Sequence, residues 1–309
     1  MRTPHEPVLL AETLAHLRNG PGLYLDATLG DGGHADALLA AEPGARLLGC
    51  DRDLVSLEFA RARLARFGDR VTFAHATFRE LPAAQARAGG ERFRGALLDL
   101  GLASHQIDDP ARGMSFMQDG PLDLRMDTSR GVPLAERLPD TDEAELADVL
   151  RTYGDLTGTA RLARALLAEA RRGTLPTTRA LKSAVDRALG GRPHPRRHAQ
   201  VFQALRIWIN GEADDLDAML QWLPEAMEDD GVVVTLAYHS GEDRRIKQAV
   251  RGPAPTASAR RLPQHLEERP PEGPWEMVTR RVVVPSSDEV HRNPRARSAR
   301  LRCFRRKPR

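Results

Sequence analysis

The stretch Asp26-Ala27-Thr28-Leu29-Gly30-Asp31-Gly32-Gly33-His34 follows the apolar residues Leu23-Tyr24-Leu25 and precedes an Ala- and Leu-rich run over 35–41. A strand, a glycine-rich turn and a helix in that order bring backbone N–H groups and a helix N-terminus against a nucleotide-like ligand. Glycine suits such a turn because side chains would block the approach and because the backbone there often needs positive φ. Asp51 closes a second apolar run over 47–51. It stands about twenty residues past the glycines, where an acid accepts hydrogen bonds from a ribose. Gly30-x-Gly32-x-x-Ala35 also satisfies the dinucleotide fingerprint. NAD and S-adenosylmethionine share the ribose, so both stay open.

A third acid sharpens the choice. Ala96-Leu97-Leu98-Asp99-Leu100-Gly101 reads as another strand ending in a carboxylate. Ligands of open parallel sheets sit beyond the carboxyl ends of the strands, and Asp26, Asp51 and Asp99 all fall there. Singly, each could be a helix cap or a turn residue. Together they form a carboxylate cluster, which suits a cationic cofactor better than one carrying a pyrophosphate.

The elements that must position these residues follow an alternating rhythm. Strands are expected near 23–27, 46–51, 71–75 and 95–100 with helices between them, an α/β pattern that predicts an open parallel sheet covered on both faces. From 107 to 198 the rhythm changes to successive helices. One is expected to start at Asp140-Thr141-Asp142-Glu143 and stop at Tyr153-Gly154, one to run over 157–172, and one over 178–189 before Gly190-Gly191. The chain thus reads as 1–106, a first α/β part; 107–198, a helical insertion; and 199–309, the second α/β part. Helices over 200–208, 216–223 and 242–250 and a buried strand over 232–238 belong to the last part. A Pro-rich loop covers 252–274, and 278–284 with 299–304 should form a closing hairpin whose second arm is an edge strand.

Composition narrows the class. The 309 residues can bury a sizeable core. There is no run of about eighteen apolar residues and no signal-peptide pattern, so a soluble, cytoplasmic chain with no membrane partner is expected. Cys50 and Cys303 have no Cys or His neighbours at ligand spacing, which argues against a disulfide framework and against a metal site. Net charge is +3, yet no acid follows Glu289, and the segment from Arg292 onward holds eight arginines and one lysine. A one-sided basic end is the footprint of a phosphate-backbone binder. A solubilising disordered tail is the bland alternative, and the strand-like alternation over 299–304 argues against it.

These residues resemble a known family from end to end. The carrying motifs are His5-Glu6-Pro7-Val8-Leu9-Leu10-Ala11-Glu12, the glycine turn, Asp99-Leu100-Gly101, and the run from Gln106 through Arg112-Gly113-Met114-Ser115-Phe116 to Asp123-Leu124-Arg125-Met126-Asp127. Phe202-Gln203-Ala204-Leu205-Arg206-Ile207, Tyr238-His239-Ser240-Gly241-Glu242-Asp243-Arg244 and Asn293-Pro294-Arg295-Ala296-Arg297-Ser298 complete them. The chain is similar to the MraW family of bacterial 16S rRNA cytosine-N4 methyltransferases. The resemblance implies a class I, Rossmann-like methyltransferase fold with a helical insertion and S-adenosylmethionine as donor. It implies a decoding-centre cytosine, nucleotide 1402, of the 30S ribosomal subunit as acceptor, and leaves room for a homodimer. Carried over by position, the cofactor contacts fall on Gly32, Gly33, His34, Asp51, Phe78, Asp99 and Gln106. Phe78 and Gln106 rest on the resemblance alone, and Phe78 by itself reads as a core aromatic. Where the family usually has two serines this chain has Ala103-Ser104; where it usually has Phe and Leu stand Tyr238 and Gly241; and Gly211-Glu212-Ala213 and Tyr153-Gly154-Asp155 also depart from the pattern.

The chemistry of such an acceptor sets the remaining expectations. The cytosine amine is a weak nucleophile because its lone pair is delocalised into the ring. An enzyme must align it and accept its N–H hydrogen bonds. Asp99 is the candidate acceptor, helped by His239 or Ser240; His239 could equally be structural. Methylation at C5 would need a thiolate, and neither Cys50 nor Cys303 follows the fourth or fifth strand. Met114, Phe116 and Met117 could clamp a flipped base or simply pack. Arg112, Arg292, Arg295 and Arg297 are expected to grip RNA, with a steep salt dependence. Three alternatives remain: a non-catalytic S-adenosylmethionine-binding ribosome-assembly factor, a methyltransferase acting on a different RNA, and an NAD-dependent oxidoreductase, for which no hydride-handling constellation is visible.

Overall fold

A strand covered on both faces needs apolar side chains at every position, with alternate residues feeding opposite cores. In β1 (Gly22–Asp26) Leu23 and Leu25 enter one core and Tyr24 the other. The same alternation holds in β4 (Phe93–Asp99), where Ala96 and Leu98 oppose Leu97, and in β5 (Met227–Ala237), where Val233 opposes Val232 and Val234. With β2 (Ala45–Asp51), β3 (Val71–His75), β6 (Trp275–Met277) and β7 (Arg300–Arg306) they form a seven-stranded sheet in the order β3-β2-β1-β4-β5-β7-β6. The first five strands in that order pair parallel and β7 is antiparallel to both its neighbours. This is the doubly wound, Rossmann-like arrangement expected.

The computed structural model describes residues 7–190, 195–251 and 273–309. His5, Glu6, Gly191 and nearly all of the Pro-rich 252–274 stretch lie outside the described residues. The chain divides into two units, 1–101 with 215–309, and 102–214. In the first, helices Leu10–Leu17, Gly33–Ala41 and Leu54–Leu64 cover one face of the sheet through Leu17, Leu38 and Leu57. Leu81, Leu216, Leu223 and Ile246, from helices Leu81–Arg87, Glu212–Ala226 and Ser240–Arg251, cover the other.

The closing hairpin differs from the expectation in two respects. Its first arm is Trp275–Met277, and Val283 meets Leu301 only as a single bridge. Its second arm is not an edge: β7 lies between β5 and β6, with Leu301, Cys303 and Phe304 fully buried. Alternating basic residues made the strand look half-solvated. Arg302 instead turns inward to Asp243, donating from Nε to Oδ1 at 2.6 Å, while Lys247 reaches Oδ2 at 3.0 Å.

The second unit is helical, as its pattern implied. Helices Glu143–Gly154, Thr159–Arg171 and Thr178–Ala188 are started by Asp142, Gly158 and Thr177. The first stops at Asp155, in the left-handed region at φ 49, one residue beyond the expected glycine. Leu146, Leu150, Leu162, Leu166, Leu181 and Val185 build the core. Helix Pro195–Asn210 adds Val201, Phe202 and Leu205 to it. Its sequence suits either part, so 199 onward reads as the resumed α/β part, but its apolar face goes to the helical core.

Asp243 is almost fully buried. Burial pushes its carboxyl up, but Arg302 and Lys247 outweigh that and hold it below the ordinary carboxylate range. Its stabilisation is therefore complete above about pH 3.9 and is lost as the pH falls through the depressed value. Asp243→Asn should cost about 3 kcal/mol near neutrality, read from urea denaturation. The difference from the parent should shrink below about pH 4.

Candidate functional site

The site is built at the carboxyl ends of β1, β2 and β4, whose last residues are Asp26, Asp51 and Asp99. Asp51 shapes the glycine turn. Its Oδ2 accepts the Gly30 N–H at 2.7 Å and its Oδ1 the Asp53 N–H at 2.8 Å. Thr28 ties the turn to β4, its Oγ1 accepting the Asp99 N–H at 2.7 Å. Gly32 precedes helix Gly33–Ala41 at φ 77, where a side chain would be strained. A Cβ on Gly33 would stand 2.5 Å from Pro7 Cγ, so only glycine lets the incoming chain lie on that turn. His34 is buried; its Nε2 faces the Val8 carbonyl at 3.0 Å and its Nδ1 lies 3.9 Å from Asp99 Oδ2.

Burial raises the Asp26 carboxyl to about 8; the Thr28 amide opposes the shift, and the Asp99 and Asp51 carboxylates add to it. Burial thus keeps the proton on Asp26, and repulsion from Asp99 and Asp51 adds to it. A cationic ligand relieves that repulsion, and the donor set fits S-adenosylmethionine: Asp51 keeps lone pairs for ribose hydroxyls, and Phe78 opens the short 3₁₀ turn Phe78–Glu80 after β3, half-buried against the core.

Beyond β5, three side chains converge on backbone and carboxylate. Tyr238 hydrogen-bonds through its hydroxyl to Asp99; burial first, then the Asp99 charge, holds that hydroxyl far above its ordinary value. The Gly101 N–H donates to Asp99 Oδ1 at 3.1 Å. Glu242 accepts the Tyr238 and His239 amides on Oε2 at 2.7 and 3.2 Å, and its Oε1 meets His239 Nε2 at 3.0 Å. Ser240, exposed, starts the following helix. The sequence had marked Tyr238 only as a departure, and it had missed the roles of Thr28 and Glu242. A polar residue two places past the acid that ends β1 is the signal that could have found Thr28; Glu242, beyond a strand that ends in Ala237, carried no such signal.

Other expected residues lie elsewhere. Gln106 belongs to the helical unit, where it is buried and its Oε1 accepts the Ala103 N–H at 3.0 Å. Arg112 is not a surface residue: it is buried, and its Nη2 donates to the carbonyls of Arg125 and Met126. The loop 121–127 has more backbone carbonyls than it can satisfy alone, and this guanidinium serves them. Asn210 helps, giving Nδ2 to the Leu124 carbonyl at 2.7 Å and taking the Met126 N–H on Oδ1 at 2.8 Å. Of the clamp candidates, Met114 is buried and Phe116 packs on Phe202; only Met117 is exposed, at 79%. Arg292, Arg295 and Arg297 are all exposed, the first ending helix Ser287–Arg292 and the others on the turn Pro294–Ser298.

Comparison with known proteins covers the whole chain. The model of the MraW methylase family matches residues 2–307. The ribosomal RNA small subunit methyltransferase H of Sorangium cellulosum is 44% identical over 307 residues, 98% of this chain and 90% of that one. The protein of the same description from Chlorobium luteolum is 40% identical, covering 96% and 95%. Among solved structures, an rRNA methylase from Streptococcus thermophilus aligns over 99% of this chain and 100% of its own, at 10% identity and a TM-score of 0.39.

Asp26 makes the site's pH behaviour testable. Its folded value near 8 lies above the unfolded 3.8, so the folded chain holds a proton that the unfolded chain releases. Stability should fall as pH rises between those values, by up to about 1.4 kcal/mol per unit from this group. Asp26→Asn should lack that slope. Unfolding free energies of parent and variant at pH 5 and 7.5 would then diverge; parallel profiles would show that Asp26 is not held neutral.

Proposed function

The chain belongs to the MraW methylase family, and from that premise we propose that it methylates the exocyclic N4 of a decoding-centre cytosine, nucleotide 1402, of 16S rRNA in the 30S subunit. S-adenosylmethionine, when bound, supplies a methyl group on an electrophilic sulfonium centre. The observation that carries the reading is Asp99: a carboxylate at the end of β4, fixed by the Gly101 amide and the Tyr238 hydroxyl beside the cofactor turn.

The amine must be turned so that its lone pair points at the incoming methyl, and its two N–H bonds then need acceptors. Asp99 keeps acceptor capacity beyond its two fixed partners, since a carboxylate has about four lone-pair sites. Hydrogen bonds from the amine to that carboxylate draw the lone pair out of conjugation and hold it in line. The product loses its proton easily, so no strong base is required. His239 is kept in one orientation by Glu242 and, with Ser240, offers the second acceptor. Gly32, Gly33, His34, Asp51 and Phe78 would hold the cofactor.

Buried thiols support N4 over C5. Cys50 and Cys303 are fully buried, and burial raises both, Cys303 to about 12. Neither offers the thiolate that addition to the ring would need. Arg292, Arg295 and Arg297 supply an exposed cationic turn for RNA phosphates.

Labelled methyl transfer to 30S subunits lacking this modification, followed by nucleoside analysis, tests the assignment. Label should appear in N4-methylcytidine; label at C5 or in another RNA would overturn it. At saturating cofactor Asp99→Asn should slow transfer by roughly 10²-fold or more. Replacing Arg292, Arg295 and Arg297 by Ala should lower the salt slope of RNA binding by roughly 0.7 for each phosphate contact removed.

A further inference from the structure

Two ends of the chain meet over the cofactor turn. The segment 7–9 enters along it: Pro7 lies against Gly33, and the Val8 carbonyl faces His34 Nε2 at 3.0 Å. Leu9 then adopts φ 51 and ψ 41, a left-handed conformation that costs a non-glycine residue about 1–2 kcal/mol. It is fully buried, so something must compensate for the strain and for its amide. That partner is Glu289, 280 residues away, whose Oε1 accepts the Leu9 N–H at 2.7 Å. Glu289 is in turn fixed within helix Ser287–Arg292: the Ser286 hydroxyl accepts its N–H at 3.1 Å, and the Asn293 N–H donates to its carbonyl at 2.7 Å.

A charge-assisted bond to a buried amide is stronger than a neutral one, and this one holds a backbone conformation that Leu would not otherwise keep. Because the Val8 carbonyl can only accept, the His34 nitrogen facing it carries the proton. The ring is thereby locked with Nδ1 turned toward Asp99 Oδ2, 3.9 Å away. The order of dependence is Glu289, Leu9, Val8, then His34.

We infer that Glu289 is a positioning residue for the cofactor site: by holding the Leu9 amide it keeps the 7–9 strap on Gly33 and His34, and so fixes the end of the site that receives the amino-acid half of S-adenosylmethionine. This rests on the cofactor reading above, in which Asp51 takes the ribose, and on placing Phe78 beside the adenine as the family resemblance implies. The strap therefore acts at the opposite end, and its loss has a signature that general destabilisation lacks.

The test is calorimetric binding of S-adenosylhomocysteine and of 5′-methylthioadenosine, which lacks the amino-acid group, to the full chain and to E289A and E289Q. E289A should weaken S-adenosylhomocysteine by roughly tenfold and leave 5′-methylthioadenosine within about twofold. E289Q retains an acceptor oxygen and should recover most of the lost affinity. Equal weakening of both ligands would mean that Glu289 only supports the fold and would overturn the inference. So would E289Q losing as much as E289A. The parent chain's own affinity for S-adenosylhomocysteine bears on the cofactor reading; a change confined to the variants bears on Glu289 alone.

Discussion

Carboxylates that end three adjacent parallel strands repel one another, and the site's architecture follows from how that repulsion is met. Asp51 is met by the amides of Gly30 and Asp53, and in the same act it bends the glycine turn into shape. Asp99 is met by the Gly101 amide and the Tyr238 hydroxyl. Asp26, the most deeply buried of the three, has the Thr28 amide alone among these donors and is held near pKa 8. Burial, more than the two neighbouring acids, keeps the proton on Asp26. The same arrangement selects for ligands: a pyrophosphate would add to the negative potential, whereas a sulfonium and an ammonium would offset it.

The C-terminal segment serves both stability and the site. Its charge pattern alone suggests a uniformly basic arm, but the structure divides the arginines by depth. Arg302 is spent on buried Asp243, and Arg306 donates to the Pro224 carbonyl at 2.9 Å. The exposed set is concentrated on the turn around Ala296, which is itself fully buried and anchors that turn to the sheet core. The exposed arginines of this segment are therefore carried on an anchored turn. That turn begins within a few residues of Glu289.

Local rules made much of this legible in the sequence. Asp26, Asp51 and Asp99 could be placed because continuous apolar runs end abruptly at each, and Asp142 could be placed as a helix start because an acidic first turn precedes an apolar periodic stretch. Residues whose roles depend on distant backbone could not. Arg112 looks like any exposed cation until loop 121–127 brings its carbonyls against it. β7 looks like an edge until β6 pairs with its outer side and Asp243 neutralises Arg302. Helix Pro195–Asn210 has an apolar face suited to either unit, and only the position of Leu146 and Leu150 decides where it packs. Glu289 and Leu9 are 280 residues apart, and no spacing rule links them.

The departures at Tyr238 and Gly241 fall on the two side chains proposed for acceptor chemistry. A phenylalanine at 238 could not donate to Asp99; the tyrosine does, so the Asp99 charge is shared with a hydroxyl before substrate arrives. That weakens Asp99 as an acceptor but fixes its direction, and alignment matters more for an amine whose lone pair must leave the ring plane. At 241 a Cβ would stand 3.1 Å from the His239 ring, tighter than side chains normally pack. Glycine leaves the ring space to settle on Glu242, at 3.0 Å. Both substitutions therefore act in one sense: each favours a hydrogen bond that holds a candidate catalytic side chain in place.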